Sequence, residues 1–143
     1  MIRTRLIHPE ILSALAQAGH GARILIADGN YPFSTMAPPH ARRVFLNLCP
    51  GTVEILPVLE LIVETVPLES ALIMLPTTGE PQAIHEEYRK ALDPACAVQE
   101  KPRFEFYEEV KSPNTCLVIA TGERRRFANI LLTIGVVKFL PEA

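Results

Sequence analysis

The chain has 143 residues, a formal charge of −2 at pH 7, 48% hydrophobic side chains and 6% aromatics, with no tryptophan. This length suits one domain with an aliphatic core. The near-balanced charge, with no Lys/Arg cluster interleaved with aromatics, excludes the footprint of a nucleic-acid binder. No apolar run reaches membrane-span length, and the opening MIRTRLIHPE lacks the apolar core of a signal peptide, so a cytoplasmic protein with no membrane partner is expected. Cys49, Cys96 and Cys116 are widely spaced and form no C-x-x-C pair, which reads as reduced structural thiols rather than a metal site or disulfides.

In chain order, His8-Pro9-Glu10 opens a helix, with proline in the first turn and an acid at the positive end. Ile11, Leu12, Leu15 and Ala18 recur at helical spacing, and Gly19 supplies the expected stop. Residues 23–27 read as a buried strand, and the Pro-broken stretch 29–40 reads as a loop. A second short strand is expected over 44–48. A helix follows from a Thr52 cap to about Glu64, with Pro57 as a kink. Residues 70–75 form a third strand, Pro76-Thr77-Thr78-Gly79 a loop, and Pro81 begins a helix to about Leu92. A short helix over 104–111, a strand over 116–120, a polar loop over 121–128 and an apolar segment over 130–134 complete the chain. Helices and strands alternate, and the strands are apolar throughout. The expectation is an α/β fold: one three-layer domain spanning 1–143, with a mainly parallel central sheet covered by helices.

In such sheets ligands gather beyond the carboxyl ends of the strands. Three polar segments fall there: Asp28-Gly29-Asn30, Pro76 to Gly79, and Thr121-Gly122-Glu123. Asp28 reads equally as a turn cap before glycine and as a carboxylate that grips sugar hydroxyls. His20, held between Gly19 and Gly21, is a titratable ring in a bare hinge, and the residues alone favour a surface-turn reading. His8 is accounted for as a helix-start residue, and His85 is assigned to a solvated helix face. His40, in the Pro-rich loop, fits either a structural or a functional role. Arg124-Arg125-Arg126 reads as a solvated turn.

Several ordered motifs resemble the fucose mutarotase and ribose pyranase family. They are Gly19-His20-Gly21, the strand ending in Asp28 with Pro32 soon after, Arg103-Phe104-x-Phe106-Tyr107-Glu108, and Thr121-Gly122-Glu123 followed by Phe127-Ala128-Asn129-Ile130-Leu131. The resemblance spans nearly the whole chain and is nearer the fucose branch. It implies a monosaccharide mutarotase that interconverts anomers of L-fucose or a similar pyranose without metal or organic cofactor. It further implies His20 as the proton donor, with Asp28, Arg103, Phe127, Ala128 and Asn129 at sugar-binding positions. Members of the family resemble one another in being homo-oligomers, often decameric rings, with sites at subunit contacts.

Two departures stand out. Phe127 occupies a position where the family usually has tyrosine. The loop after Asp28 lacks a histidine expected in fucose mutarotases, with Tyr31 and His40 as the candidates to stand in.

Opening a hemiacetal requires a proton delivered to the ring oxygen and one removed from the anomeric hydroxyl, which suits a histidine poised near neutrality. The stretch from Arg23 to Asp28, if extended, spans about 16 Å. His20 enters this strand and Asp28 leaves it, so the expected site pairs His20 of one chain with Asp28 of a neighbour. Two other readings compete: a non-catalytic sugar-binding or transport-accessory protein on the same scaffold, and a nucleotide-binding module. Against the last, no G-x-G-x-x-G or G-x-x-x-x-G-K-[ST] follows any strand.

Overall fold

Successive residues of β1 (Arg23–Ala27) leave for opposite faces: Ile24 and Ile26 join one apolar cluster, Leu25 and Ala27 the other. A strand buried on both sides has no use for polar alternation, which is why this stretch reads as a continuous apolar run. The computed structural model describes residues 1–138. Around β1 it places α1 (Pro9–Gln17), β2 (Arg42–Phe45), α2 (Ile55–Thr65), β3 (Leu68–Leu75), α3 (Ala83–Ala91), β4 (Ala97–Pro102), α4 (Arg103–Val110), β5 (Thr115–Ala120) and β6 (Ile130–Ile134).

The sheet has six strands in the order β2-β5-β1-β6-β3-β4. The pairs β1–β5, β2–β5 and β3–β4 are parallel. The exception is β6, which lies between β1 and β3 and runs antiparallel to both. On one face Ile11, Leu59 and Tyr88 bring α1, α2 and α3 onto the sheet. On the other, Phe106 and Val110 of α4 pack beside Tyr31, Ala37 and Ala41 of the Pro-rich loop. This is the expected α/β three-layer arrangement with a mostly parallel sheet. No described helix is long and apolar enough to cross a membrane.

Local physics revises several boundaries. The first helix stops at Gln17 with an extended Ala18 cap, and the left-handed residue of the hinge is Gly21 (φ 84) rather than Gly19. At its other end the His8 ring accepts the Ile11 N–H at 3.3 Å, a side-chain cap that fits the expected start. The second strand begins and ends earlier than expected, at Arg42 and Phe45. Thr52 does not cap α2. The helix starts at Ile55, whose N–H is accepted by the Glu123 carboxylate across the fold at 3.3 Å. Pro57 falls in the first turn, where its missing N–H has no intrahelical role, so it is an ordinary starting residue. Helix α3 begins two residues after Pro81. Strand β4, AVQEKP, was not anticipated: it is a polar, largely exposed edge strand ending in proline, and an edge needs neither apolar alternation nor every N–H.

Candidate functional site

Because β6 is antiparallel to its neighbours, its start lies at the same sheet edge as the carboxyl ends of β1, β3 and β4. That direction change brings Phe127, Ala128 and Asn129 beside Asp28. A cavity of about 590 Å³ opens there, with Asp28, Tyr31, Arg103, Tyr107, Phe127 and Asn129 among its walls.

Asp28 and Asn129 form the floor, 3% exposed each. The Asp28 N–H donates to Asn129 Oδ1 at 2.7 Å. Asp28 Oδ1 accepts the Asn30 N–H at 3.0 Å, and Oδ2 the Ala128 N–H at 3.4 Å. Burial pushes the carboxyl above its usual range, against the pull of the Asn30, Ala128 and Tyr31 backbone N–H groups, and the nearby Glu123 charge pushes the same way as burial. Asp28 is thus both the turn cap and a carboxylate at the cavity; the two readings are not exclusive. Ala128 is absent from the cavity lining and enters through its backbone N–H.

Arg103 is the first residue of α4, placed directly after β4 with no loop between them. Its Nε donates to the Tyr107 hydroxyl at 2.9 Å, and the guanidinium lies 5.1 Å from the Phe104 ring centre and 5.4 Å from that of Tyr107. The remaining guanidinium N–H groups have no protein acceptor among the described residues. Glu109 fixes α4 on the sheet by pairing with Lys101 of β4 at 2.5 Å and with Arg23 of β1 at 2.9 Å.

Phe127 holds a left-handed backbone (φ 56), a strained choice for a side chain without a local hydrogen bond of its own. Two side chains of α3 hold that turn from behind. His85 Nε2 donates to the Phe127 carbonyl at 2.8 Å, and the Tyr88 hydroxyl donates to the next carbonyl, Ala128, at 2.5 Å. His85 is therefore not on a solvated face: it is 2% exposed, and burial pushes its pKa down toward the neutral ring. The glutamates that follow it suggest a polar face, but the face that turns inward is set by packing of α3 on the sheet.

Thr121-Gly122-Glu123 does not reach this cavity. The segment lines a neighbouring cleft of about 440 Å³. Burial would raise the Glu123 pKa, but hydrogen bonds from the Arg125 side chain and from the backbone N–H groups of Arg125 and Ile55 outweigh it and hold the carboxyl low. The arginine run is correspondingly less solvated than expected: Arg125 bridges Glu123 and Glu87. Of the two candidates for the missing loop histidine, His40 is absent from the cavity lining and its Nε2 lies 2.9 Å from the Pro113 carbonyl. Tyr31 is in the wall, but its hydroxyl donates to Met36 O at 2.7 Å.

His20 lies outside the cavity. It sits before β1, at the sheet edge opposite Asp28, with its Nε2 2.8 Å from Glu69 Oε2. The structure brings Asp28, Arg103, Phe127 and Asn129 together and leaves His20 apart. Thr77 lies in one of the polar segments expected beyond the strand ends and Tyr107 in a family motif, whereas the wall residues Met74 and Glu105 carry no sequence signal of their own.

A buried polar floor ringed by aromatic and charged side chains, at the carboxyl edge of a layered α/β sheet, is the place where such folds hold small molecules. The RbsD / FucU transport protein family matches residues 1–137, and the chain belongs to it. It is similar in structure to FucU from Bifidobacterium longum, with 33% identity, TM-score 0.79, and 92% of this chain and 97% of that one covered. It is also similar to the fucose mutarotase from Streptococcus pneumoniae in complex with L-fucose, with 30% identity, TM-score 0.80, and 96% and 100% covered. Bacillus subtilis RbsD complexed with D-ribose shares the fold at 21% identity and TM-score 0.82, over 96% of this chain and 100% of that one.

Proposed function

We propose that the protein is a cytoplasmic monosaccharide mutarotase acting on L-fucose or a similar pyranose, using no metal or organic cofactor. The observation that carries this reading is the cavity floor, where a buried carboxylate, an amide and a guanidinium with unused N–H groups converge between aromatic walls. Carboxylate and amide suit sugar hydroxyls, and the Phe127 ring suits the apolar face of a pyranose. Kinship with a fucose mutarotase that binds L-fucose supports the substrate class.

In this reading His20 is the acid. Its protonated ring gives a proton to the ring oxygen as the bond from that oxygen to the anomeric carbon breaks, while the anomeric hydroxyl gives its proton to water. The open aldehyde then recloses on the other face, both protons return, and the opposite anomer leaves. General acid catalysis of this kind contributes roughly 10²–10⁴-fold.

His20 and Asp28 lie beyond opposite ends of β1, and the stretch from Arg23 to Asp28 alone spans about 16 Å when extended. One chain cannot bring both to one small sugar, so the site is completed by His20 of a neighbouring copy in a homo-oligomer. The exposed apolar side chains Phe45, Leu48 and Phe104 support such contacts, Phe104 lying at the cavity itself.

Saturation-transfer NMR across L-fucose, D-ribose, L-rhamnose and D-galactose tests the activity. Wild type is expected to accelerate anomer exchange of at least one sugar, and His20→Ala to return it to the spontaneous rate. Mixing tests the shared site. His20→Ala and Asp28→Ala are each inactive alone, and a reassembled equal mixture recovers about a quarter of wild-type sites, as chance pairing across a symmetric contact dictates. A mixture that stays inactive rejects the shared site. The replacement of tyrosine by Phe127 favours a second reading, a sugar-binding protein without catalysis. Calorimetric binding with no acceleration of exchange would select it.

A further inference from the structure

We propose that Glu69 is the positioning residue for His20, fixing which ring nitrogen transfers the proton. The inference rests on His20 being the acid.

A ring in this hinge lacks ordinary means of orientation. Neither Gly19 nor Gly21 has any heavy atom within 4 Å of where a Cβ would stand, and Gly21 has φ +84. The hinge backbone is anchored, since Gly21 N–H donates to Ile134 O at 2.9 Å, but that bond does not touch the ring. The ring meets one partner among the described residues, Glu69 Oε2, at 2.8 Å from Nε2.

The sheet is deformed at that partner. Leu68 pairs with Ile134 and Ser70 with Thr133, so Glu69 is the extra residue of a bulge and has no partner on β6. The pairing of β3 with β4 begins only at Ser70, which leaves Glu69 unpaired on that side as well. A bulge re-aims a side chain that a regular strand would send elsewhere. The strand end beside it is bare: a Cβ on Gly135 would stand 3.3 Å from Glu69 Cβ and 3.4 Å from its backbone N. Bulge, glycine and hinge anchor meet at one sheet edge and present the carboxylate to the ring.

The chemical consequence is specific. A carboxylate on Nε2 holds the neutral ring as the Nε2–H tautomer and leaves Nδ1 as the nitrogen that loses and regains the proton. Glu69 is the one titratable side chain within ion-pair distance of His20 among the described residues.

Nitrogen-15 NMR of the His20 ring, with exchange kinetics on the same samples, tests this. The side chains are half exposed, 58% for His20 and 46% for Glu69, so neither variant removes packing. Wild type is expected to show the Nε2–H tautomer. Glu69→Ala should give a mixture of tautomers and lower the exchange rate at saturating sugar roughly fivefold, with KM unchanged. Glu69→Gln keeps an acceptor for the ring N–H, so the tautomer and most of the exchange rate should be retained. If Glu69→Ala keeps the wild-type tautomer and rate while His20→Ala is inactive, the proposal is overturned and the mutarotase reading stands. If His20→Ala itself exchanges at the wild-type rate, His20 is not the acid and both fall.

Discussion

The backbone N–H of Asp28 donates to the side-chain oxygen of Asn129 at 2.7 Å, joining residues 101 positions apart at the base of the cavity. Asn129→Ala leaves that N–H buried without a partner, which costs about 1–3 kcal/mol. Urea unfolding should show this loss of stability, and calorimetry should show weakened sugar binding in the folded variant. Unchanged stability would mean that water replaces the amide and that the floor is wetter than its burial indicates.

Asp28 titrates above the ordinary carboxylate value because it is buried. An acid whose folded pKa is raised binds its proton more readily in the folded state, so its ionisation opposes folding. That penalty is relieved as pH falls through the raised pKa. With Asp28 as the proposed sugar ligand, sugar affinity should run the other way, since the protonated group loses acceptor capacity. Affinity measured by calorimetry from pH 8 downward should decline on crossing the raised value, and a flat profile would remove Asp28 from the binding site.

Phe127 separates backbone strain from ring contact. Its φ of 56 is native to glycine, so Phe127→Gly exchanges relief of strain against loss of ring packing and chain entropy. Thermal unfolding should show a change within about 1 kcal/mol, while sugar affinity falls because the stacking ring is gone. Affinity at the wild-type level would show that the ring does not meet the sugar.

Glu109 joins α4 to β1 and β4, and hydrogen bonds from Lys101 first and Arg23 second hold its carboxyl below the usual 4.5. A depressed acid contributes stability above its unfolded pKa, and this is lost as pH falls through the folded value. Glu109→Gln should therefore cost up to about 1 kcal/mol near neutrality and nothing once the pH lies below the depressed value. A stability difference that persists at low pH would assign the effect to packing rather than charge.

Gly122 is needed for space. A Cβ there would collide with the carbonyl oxygens of Cys49 and Thr52, the latter at 2.6 Å, and both belong to backbone that cannot swing aside. Gly122→Ala should destabilise by about 1–3 kcal/mol, read by chemical unfolding. It should leave sugar affinity nearly intact, because the segment lines the neighbouring cleft rather than the cavity.

Local signals in the chain account for the buried strands, the order of helices and strands apart from the polar edge strand β4, and the family motifs, because apolar runs such as Ile24 to Ala27 and caps such as His8 act locally. The sequence also placed His20 and Asp28 beyond opposite ends of one strand, since the rise per residue of an extended chain is fixed. Tertiary structure alone decided the direction of β6. An apolar run has the same composition in either sense, yet only the antiparallel course sets Asn129 beside Asp28. Tertiary structure likewise turned His85 inward, took Glu123 into the cap of α2, and aimed Glu69 at His20 through a bulge. Each of these partnerships joins residues far apart in the chain, and their energies depend on a contact that exists only once the sheet has formed.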